Sequence, residues 1–332
     1  MPTRFRLASF NTLNYLAPPG AYYQAENIYD GSQWCDKQRW MDNYLKELDA
    51  DIIAFQEIFS PDALKAQMQQ LGYAHFCCLG EADVEEGYIH SSPPVALASR
   101  FAIEEAVLLA PIAKVCELLE DSDFAYSRAP LRVKIRVPEF GLIQVYVVHF
   151  KSQRPSIEAN AERSLIEQLC LYPKLGGWLS AQQRCREGTH LLGDYLAQTA
   201  PPPTAIMGDF NDGPDSLVAR LFQAEKRLPR LPEGSEFSEQ QAQELASELR
   251  FQHAYDLALQ ESPPVPSHYW GPHGSRIDHI LLNGAFDAGQ DGSHGQVEHV
   301  WVADRHLLNP HSELDRQCSD HAAIVAEVSV RE

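Results

Sequence analysis

The chain has 332 residues, 44% of them apolar, enough to bury a large core and too many for a disordered protein. Its 27 Lys and Arg stand against 46 Asp and Glu, a net charge of −19 that repels polyanions over the surface as a whole and excludes a protein that coats nucleic acid non-specifically. No run of about 18 apolar residues is present, so no membrane-spanning helix is expected.

The first residues, MPTRFRLASFN, lack the apolar core of an export signal and read as a first strand with polar and apolar residues alternating. WMDNYLKEL sets Trp40, Tyr44 and Leu48 at helical spacing, and ADIIAFQE is a short apolar run with a polar end. SPDALKAQMQQLGY predicts a helix with Ser60 as N-cap, Pro61 at the first position, Leu64, Met68 and Leu71 on one face and Gly72 as the stop. PPVALASR reads as a strand. In PLRVKIRVPEFGLIQVYVVHF, Leu131, Val133, Ile135 and Val137 alternate with charges, and a turn at 138–141 leads into a more buried strand ending at His149, the pattern of a hairpin.

A helix is expected through AQQRCREGTHLLGDYLAQT, closed by Pro201–Pro203. TAIMG reads as a buried strand and DSLVARLFQA as a helix. Residues 225–249 are polar and acidic, a surface excursion with one helix. RIDHILLN, VEHVWVA and HAAIVAEVSV close the chain as strands. With no internal repeat or low-complexity linker, residues 1–332 read as one α/β (α+β) domain, many of whose strands are antiparallel with one wet face. Seven cysteines at 35, 77, 78, 116, 170, 185 and 318 form no C-x-x-C pair, which argues against a disulfide framework or thiolate zinc site and fits a reducing, cytoplasmic compartment.

The informative pattern is where the strands stop. LASFN ends at Asn11, DIIAFQE at Gln56 and Glu57, VYVVHF at His149, and AIMGDFN at Asp209 and Asn211. RIDHILL carries Asp278, and SDHAAIV opens with Asp320 and His321. Strands propped by a core deliver such tips rigidly to one rim. Taken singly, each has a plainer reading: Asp209-x-Asn211 is also a turn that bonds its own backbone. A calcium loop starting at Asp209 fails, because Pro214 stands where the sixth-position glycine is required. As a set, Asn11, Glu57 and Asp320 are hard oxygen ligands suited to Mg²⁺ or Mn²⁺. Two histidines and further carboxylates remain for proton transfer and anion stabilisation, the toolkit for attack on a phosphoester. Arg132, Lys134 and Arg136 alternate as a strand's solvent face, whereas Lys151 and Arg154 lie just past His149, outside that alternation.

In order and spacing, SFN at 9–11, QE at 56–57, SR at 99–100, HFKS at 149–152, GDFND at 208–212, RID at 276–278 and SDH at 319–321 resemble the endonuclease/exonuclease/phosphatase superfamily, the deoxyribonuclease-I-like metal-dependent phosphoesterases. The resemblance implies a four-layer sandwich: two packed, mainly antiparallel sheets flanked by helices, with the site at one rim. It implies Glu57 as principal Mg²⁺ ligand helped by Asn11 and Asp320. His149 would bind the scissile phosphate, Asp278 would orient His321, and Asp209 and Asn211 would position or deprotonate the attacking water. Either His321 or Asp209 serves as base. Lys151, Arg154 and His268 are candidate substrate contacts. WCDK at 34–37 is set aside as coincidence. The expected substrate is a nucleic acid or nucleotide phosphodiester. The net charge favours the alternative of a small-molecule or lipid-headgroup phosphatase. A non-catalytic binding protein retaining the fold would be expected to have lost one of Glu57, His149, Asp209, Asn211 or His321, and all five are present.

Overall fold

The computed structural model describes residues 3–157, 163–223, 231–290 and 292–331. Its strands, in chain order among the described residues, are β1 (Arg4–Tyr15), β2 (Ala21–Tyr22), β3 (Ile52–Ile58), β4 (His75–Cys77), β5 (Asp83–Glu85), β6 (Ile89–Ser91), β7 (Ala96–Ser99), β8 (Ala102–Leu108) and β9 (Leu131–Val137). They continue with β10 (Gly141–His149), β11 (Thr204–Asp209), β12 (Phe251–His253), β13 (His268–Trp270), β14 (His273–Ser275), β15 (Asp278–Asn283), β16 (Gly295–Val302) and β17 (Ile324–Val330). The longer helices begin with α1 (Gly31–Leu48), α2 (Pro61–Gln70), α3 (Ala113–Leu119) and α4 (Tyr172–Leu196).

Two six-stranded sheets carry the molecule, ordered β16-β17-β1-β3-β7-β4 and β12-β15-β11-β10-β9-β8. Each has one parallel pair at its centre, β1 with β3 and β10 with β11, flanked by antiparallel neighbours. Alternation along the central strands explains the layering. Phe5, Leu7, Ile52 and Ala54 of the first sheet meet Val145, Val147, Ala205 and Met207 of the second in the inner core. The residues between them point outward. Ala8, Phe10, Ile53 and Phe55 pack under α1 and α2 through Trp40, Tyr44, Leu64 and Met68. Tyr146, Val148 and Ile206 pack under Leu191 and Tyr195 of α4. The result is the expected sandwich of two sheets between helices.

The hairpin at 131–149 and the strands of the sequence reading are present, and Gly72 ends its helix at φ +90°. Three expectations need correction. Ser60 makes no cap hydrogen bond, because its Oγ accepts from the Ala17 N–H at 2.9 Å instead. The helix at DSLVARLFQA shrinks to Leu217–Arg220, and Ala224 lies outside the described residues. The helix expected at 181–199 starts at Tyr172 and ends at Leu196. Pro173 stands where a π-helical turn, Glu167–Leu171, passes into α4. Gly176 is required for packing, since a Cβ there would lie 2.7 Å from Pro155. Of the acidic excursion, 225–230 lies outside the described residues; Glu239–Leu249 is a helix opened by a Ser238–Gln241 capping box. All seven cysteines are free, and no helix among the described residues is long and apolar enough to cross a membrane.

Candidate active site

The two parallel pairs end at the same rim, Asn11 opposite Gln56 in one sheet and His149 opposite Asp209 in the other. Gly208 makes the second pairing possible. It has φ +154°, and a Cβ would fall 1.9 Å from the Val148 carbonyl oxygen, so only glycine fits. On the first sheet, β1 breaks register after Asn11, and Leu13, Asn14 and Glu57 all take positive φ. Such strain, held by a packed core, re-aims side chains at functional sites. Here it turns the Asn14 N–H onto Glu57 Oε2 at 2.9 Å and points the Glu57 carboxylate into the cleft.

Asn11 joins the sheets. Its Nδ2 donates to Glu57 Oε1 at 3.2 Å and to Asp209 Oδ2 at 3.1 Å, while its Oδ1 accepts from the Leu13 N–H. It stands as an organiser of two carboxylates, with its amide oxygen turned to its own backbone. Asp209 serves both readings of its motif: Oδ1 accepts from the Asn211 N–H at 2.7 Å, as a turn residue does, while Oδ2 faces the site. Around Oδ2 gather His149 Nε2 at 3.7 Å and His321 Nε2 at 3.9 Å. Asn211 is anchored through Nδ2 to the Phe150 carbonyl.

His321 is held from behind. Asp278 Oδ2 lies 2.8 Å from its Nδ1, and the Ser267 hydroxyl donates to the same oxygen at 2.6 Å. The His321 N–H bonds Ser319 Oγ, which donates to the Asn11 carbonyl. His268 sits beside His321, ring centroids 4.9 Å apart, with Nε2 3.9 Å from Asp320. All of these except Ser267 and Ser319, together with Lys151 and Arg154, were expected from the sequence. The structure brings Glu57, His149, Lys151, Arg154, Asp209, Asn211, His268, Asp320 and His321 into the wall of one cleft of about 1030 Å³.

Burial and charge set the protonation states. Burial opposes a charge on His321, but the Asp278 carboxylate, with Asp209 and Asp320, overrides it and raises the imidazolium pKa to about 10. His149 is driven well below the usual range by burial, by Arg128 and by His321, so it is neutral. Burial pushes Asp209 up to about 7, with Asp278 adding to the rise and His321 opposing it.

Two clusters are compact enough to hold a cation, His268–Asp320–His321 and Asp209–Asp278–His321. In either cluster His321, whose Nδ1 faces Asp278, would have to give up its proton to act as a ligand. Glu57 and the half-exposed Asp320 are the better match for a hard divalent ion, being carboxylates at the solvent-facing wall. Behind them lies a residue the sequence reading set aside. Lys37 is 1% exposed and donates to the Thr12 carbonyl at 2.9 Å, anchoring the β1 turn; burial drops its pKa to about 8, against the pull of Glu57 and Asp320.

Sequence reasoning also missed Ser267 and Arg128. Nothing near Ser267 marks it, because its role arises only when Ile277, Asp278 and Ala322 fold back onto it. Arg128 lies four residues before Arg132 in the sequence, and only the fold separates it from Arg132, Lys134 and Arg136. Arg136 pairs with Glu104 on the solvent face as expected, whereas Lys134 with Glu105 is partly covered and Arg132 meets Asp194 of α4 largely out of solvent.

The model of the Endonuclease/Exonuclease/phosphatase family matches residues 9–321. Among solved structures, the chain is similar to the endonuclease/exonuclease/phosphatase from Bacteroides vulgatus, at 12% identity and TM-score 0.59, covering 99% of this chain and 100% of that one. It is also similar to the endonuclease/exonuclease/phosphatase from Beutenbergia cavernae DSM 12333, at 16% identity and TM-score 0.57, covering 98% of this chain and 72% of that one. The human Nocturnin catalytic domain with bound sulfate is similar at 18% identity and TM-score 0.54, over 99% and 95% of the two chains. At these identities the likeness is one of fold. A comparison with curated proteins found no match.

Proposed function

We propose that this chain, which belongs to the endonuclease/exonuclease/phosphatase family and is thereby a phosphoester hydrolase, cleaves a phosphodiester by in-line attack of water with Mg²⁺ or Mn²⁺ bound at Glu57 and Asp320. The observation that carries the reading is Asp209 Oδ2, a buried carboxylate oxygen tethered by Asn11 and faced by both His149 and His321. The ion supplies charge against the non-bridging oxygens of the phosphoryl group.

The chain's own groups divide the remaining work. Asp209, its affinity for protons raised by burial, takes the proton of the attacking water. Asn211 and Asn11 fix the geometry of that water and of the carboxylate. His321, kept cationic by Asp278, donates to the phosphoryl oxygen as negative charge develops. Neutral His149 donates a second, uncharged hydrogen bond from the facing strand. This supports Asp209 over His321 as the base, since a histidine already protonated cannot accept the proton.

A cleft of about 1030 Å³ has room for a group on each side of the cleaved bond, which supports a diester over a monoester. Exposed Trp270 at the tip of the β13–β14 hairpin and Tyr23, both lining the cleft, offer aromatic faces to those groups. The charge of −19 supports a short substrate over a long polyanion. It also favours the second reading, a compact phosphomonoester. Hydrolysis of bis-p-nitrophenyl phosphate and p-nitrophenyl phosphate, each with Mg²⁺ and with chelator, tests the choice. Chelator-sensitive cleavage of the diester is expected; cleavage of the monoester alone would overturn it in favour of a phosphatase.

A further inference from the structure

We propose that Arg128 and Lys151 form a second anion subsite beside the reacting centre, so that the preferred substrate carries another phosphate next to the ester that is cleaved. The inference rests on the phosphodiester reading for which bond breaks, and on the following placement for the rest.

In a chain with a net charge of −19, cations readily find acids, and most of the neighbouring ones have done so. Arg132, Lys134, Arg136, Arg184 and Arg186 each meet a carboxylate. Arg128 and Lys151 make no ion pair among the described residues, yet both line the cleft, on the wall that carries His149 and Asn211. Their closeness is built. The buried Glu187 carboxylate of α4 accepts the Ser127 N–H at 2.7 Å and the Lys151 N–H at 2.8 Å, binding two distant loops to one group. One turn along the helix, buried Arg184 donates to the carbonyls of Lys151 and Ser152. A further turn on, Ser180 Oγ donates to the Arg154 carbonyl. Arg128 Nη1 reaches back to the Phe150 carbonyl at 3.4 Å. A buried polar stripe of α4 therefore clamps together the two loops that carry these cations. The Lys151 ammonium is disfavoured by burial and then by Arg128. Glu187 offsets part of this, but both its oxygens are taken by backbone N–H groups and, among the described residues, neither cation has a carboxylate partner of its own; a phosphate oxygen is the anion such a fork fits.

Arg128 and Lys151 line the same cleft but are not among the groups around Asp209 Oδ2, so the subsite serves a phosphate beside the one under attack. Binding of three thymidine dinucleotides, measured by calorimetry in chelator so that nothing is turned over, tests this. They carry the linking phosphate alone, an added 5′-phosphate, or an added 3′-phosphate. The wild type is expected to bind at least one of the doubly phosphorylated ligands about tenfold more tightly than the singly phosphorylated one. In Arg128→Gln/Lys151→Gln that ratio falls to about twofold or less, while the exposed, ion-paired control Arg136→Gln keeps it. Should the double variant not fold, the wild type alone decides: its preference must shrink as salt rises, because the extra contact releases counterions. Equal binding by the wild type, a preference surviving in the folded double variant, or one insensitive to salt overturns the proposal. Incubation of the same dinucleotides with Mg²⁺ reads the other claim separately. A binding preference without cleavage would leave the subsite standing and remove the phosphodiesterase.

Discussion

Asp278→Asn isolates the charge that holds His321 protonated. The amide keeps the shape of the side chain and leaves an oxygen for Ser267 or for Nδ1. What it removes is the carboxylate 2.8 Å from the imidazole. The imidazolium, ordinarily at 6.5, is held at about 10, a difference of 10 − 6.5 = 3.5. At about 1.4 kcal/mol for each step of one, protonation contributes roughly 5 kcal/mol to the folded state. Breaking a buried ion pair typically costs about 3–5 kcal/mol, the same order. The sign follows from a folded pKa above the unfolded one: the contribution is complete below pH 6.5 and disappears as pH climbs through about 10. In the variant, burial acts on the imidazole with less opposition and moves its pKa down. Melting temperatures of wild type and Asp278→Asn, taken in chelator across this range, should therefore differ most at pH 6.5 and converge toward pH 10. With about 0.7 kcal/mol/K of unfolding entropy for a chain this long, the gap at pH 6.5 should be near 7 °C. Turnover should fall about 10²–10⁴-fold. A gap that stays constant from pH 6.5 to 10 would refute the assignment of charge to His321.

Three further variants probe other parts of the site. Glu57→Gln should need about tenfold more Mg²⁺ to raise the melting temperature, since a neutral amide is a poorer ligand for a hard cation; an unchanged Mg²⁺ titration would remove Glu57 from the ion. Asp209→Asn should lose at least about 10²-fold in turnover yet melt higher at pH 8, because a buried carboxyl whose pKa is raised costs stability once ionised; a lower melting temperature there would contradict that state. Gly208→Ala should fail to fold or lose more than about 3 kcal/mol, its Cβ colliding with the Val148 carbonyl; near-native stability in a denaturant titration would count against the backbone described at that strand end.

What was legible in the sequence is bound to period. Asn11, Glu57, His149, Asp209 and Asp278 each end or begin an apolar alternating run, so a strand, a direction and a polar tip could be read together. That Asn11 turns its nitrogen to two carboxylates was not legible, because amide orientation depends on partners 46 and 198 residues away. Ser180, Arg184 and Glu187 were equally hidden. On a helix facing a sheet, charged residues at such spacing read as a solvent stripe, and only the loops folding over them make the face buried. The three-stranded sheet of β2, β6 and β5 escaped because strands of two or three residues carry no period at all.

The order of the strands has a consequence for synthesis. The second sheet comes from one continuous stretch, β8 to β15, while the first takes β1, β3, β4 and β7 from early residues and β16 and β17 from late ones. β1 lies between β3 and β17 and has only one neighbour until residues 324–330 arrive. Pairings so distant in sequence are slow, and a growing chain must hold an unfinished sheet edge and apolar face meanwhile. His321 arrives with that last strand. A ribosome-bound chain short of it carries Glu57, His149 and Asp209 without their cationic partner. Onset of hydrolysis during translation is thus a clock for the closing of the first sheet.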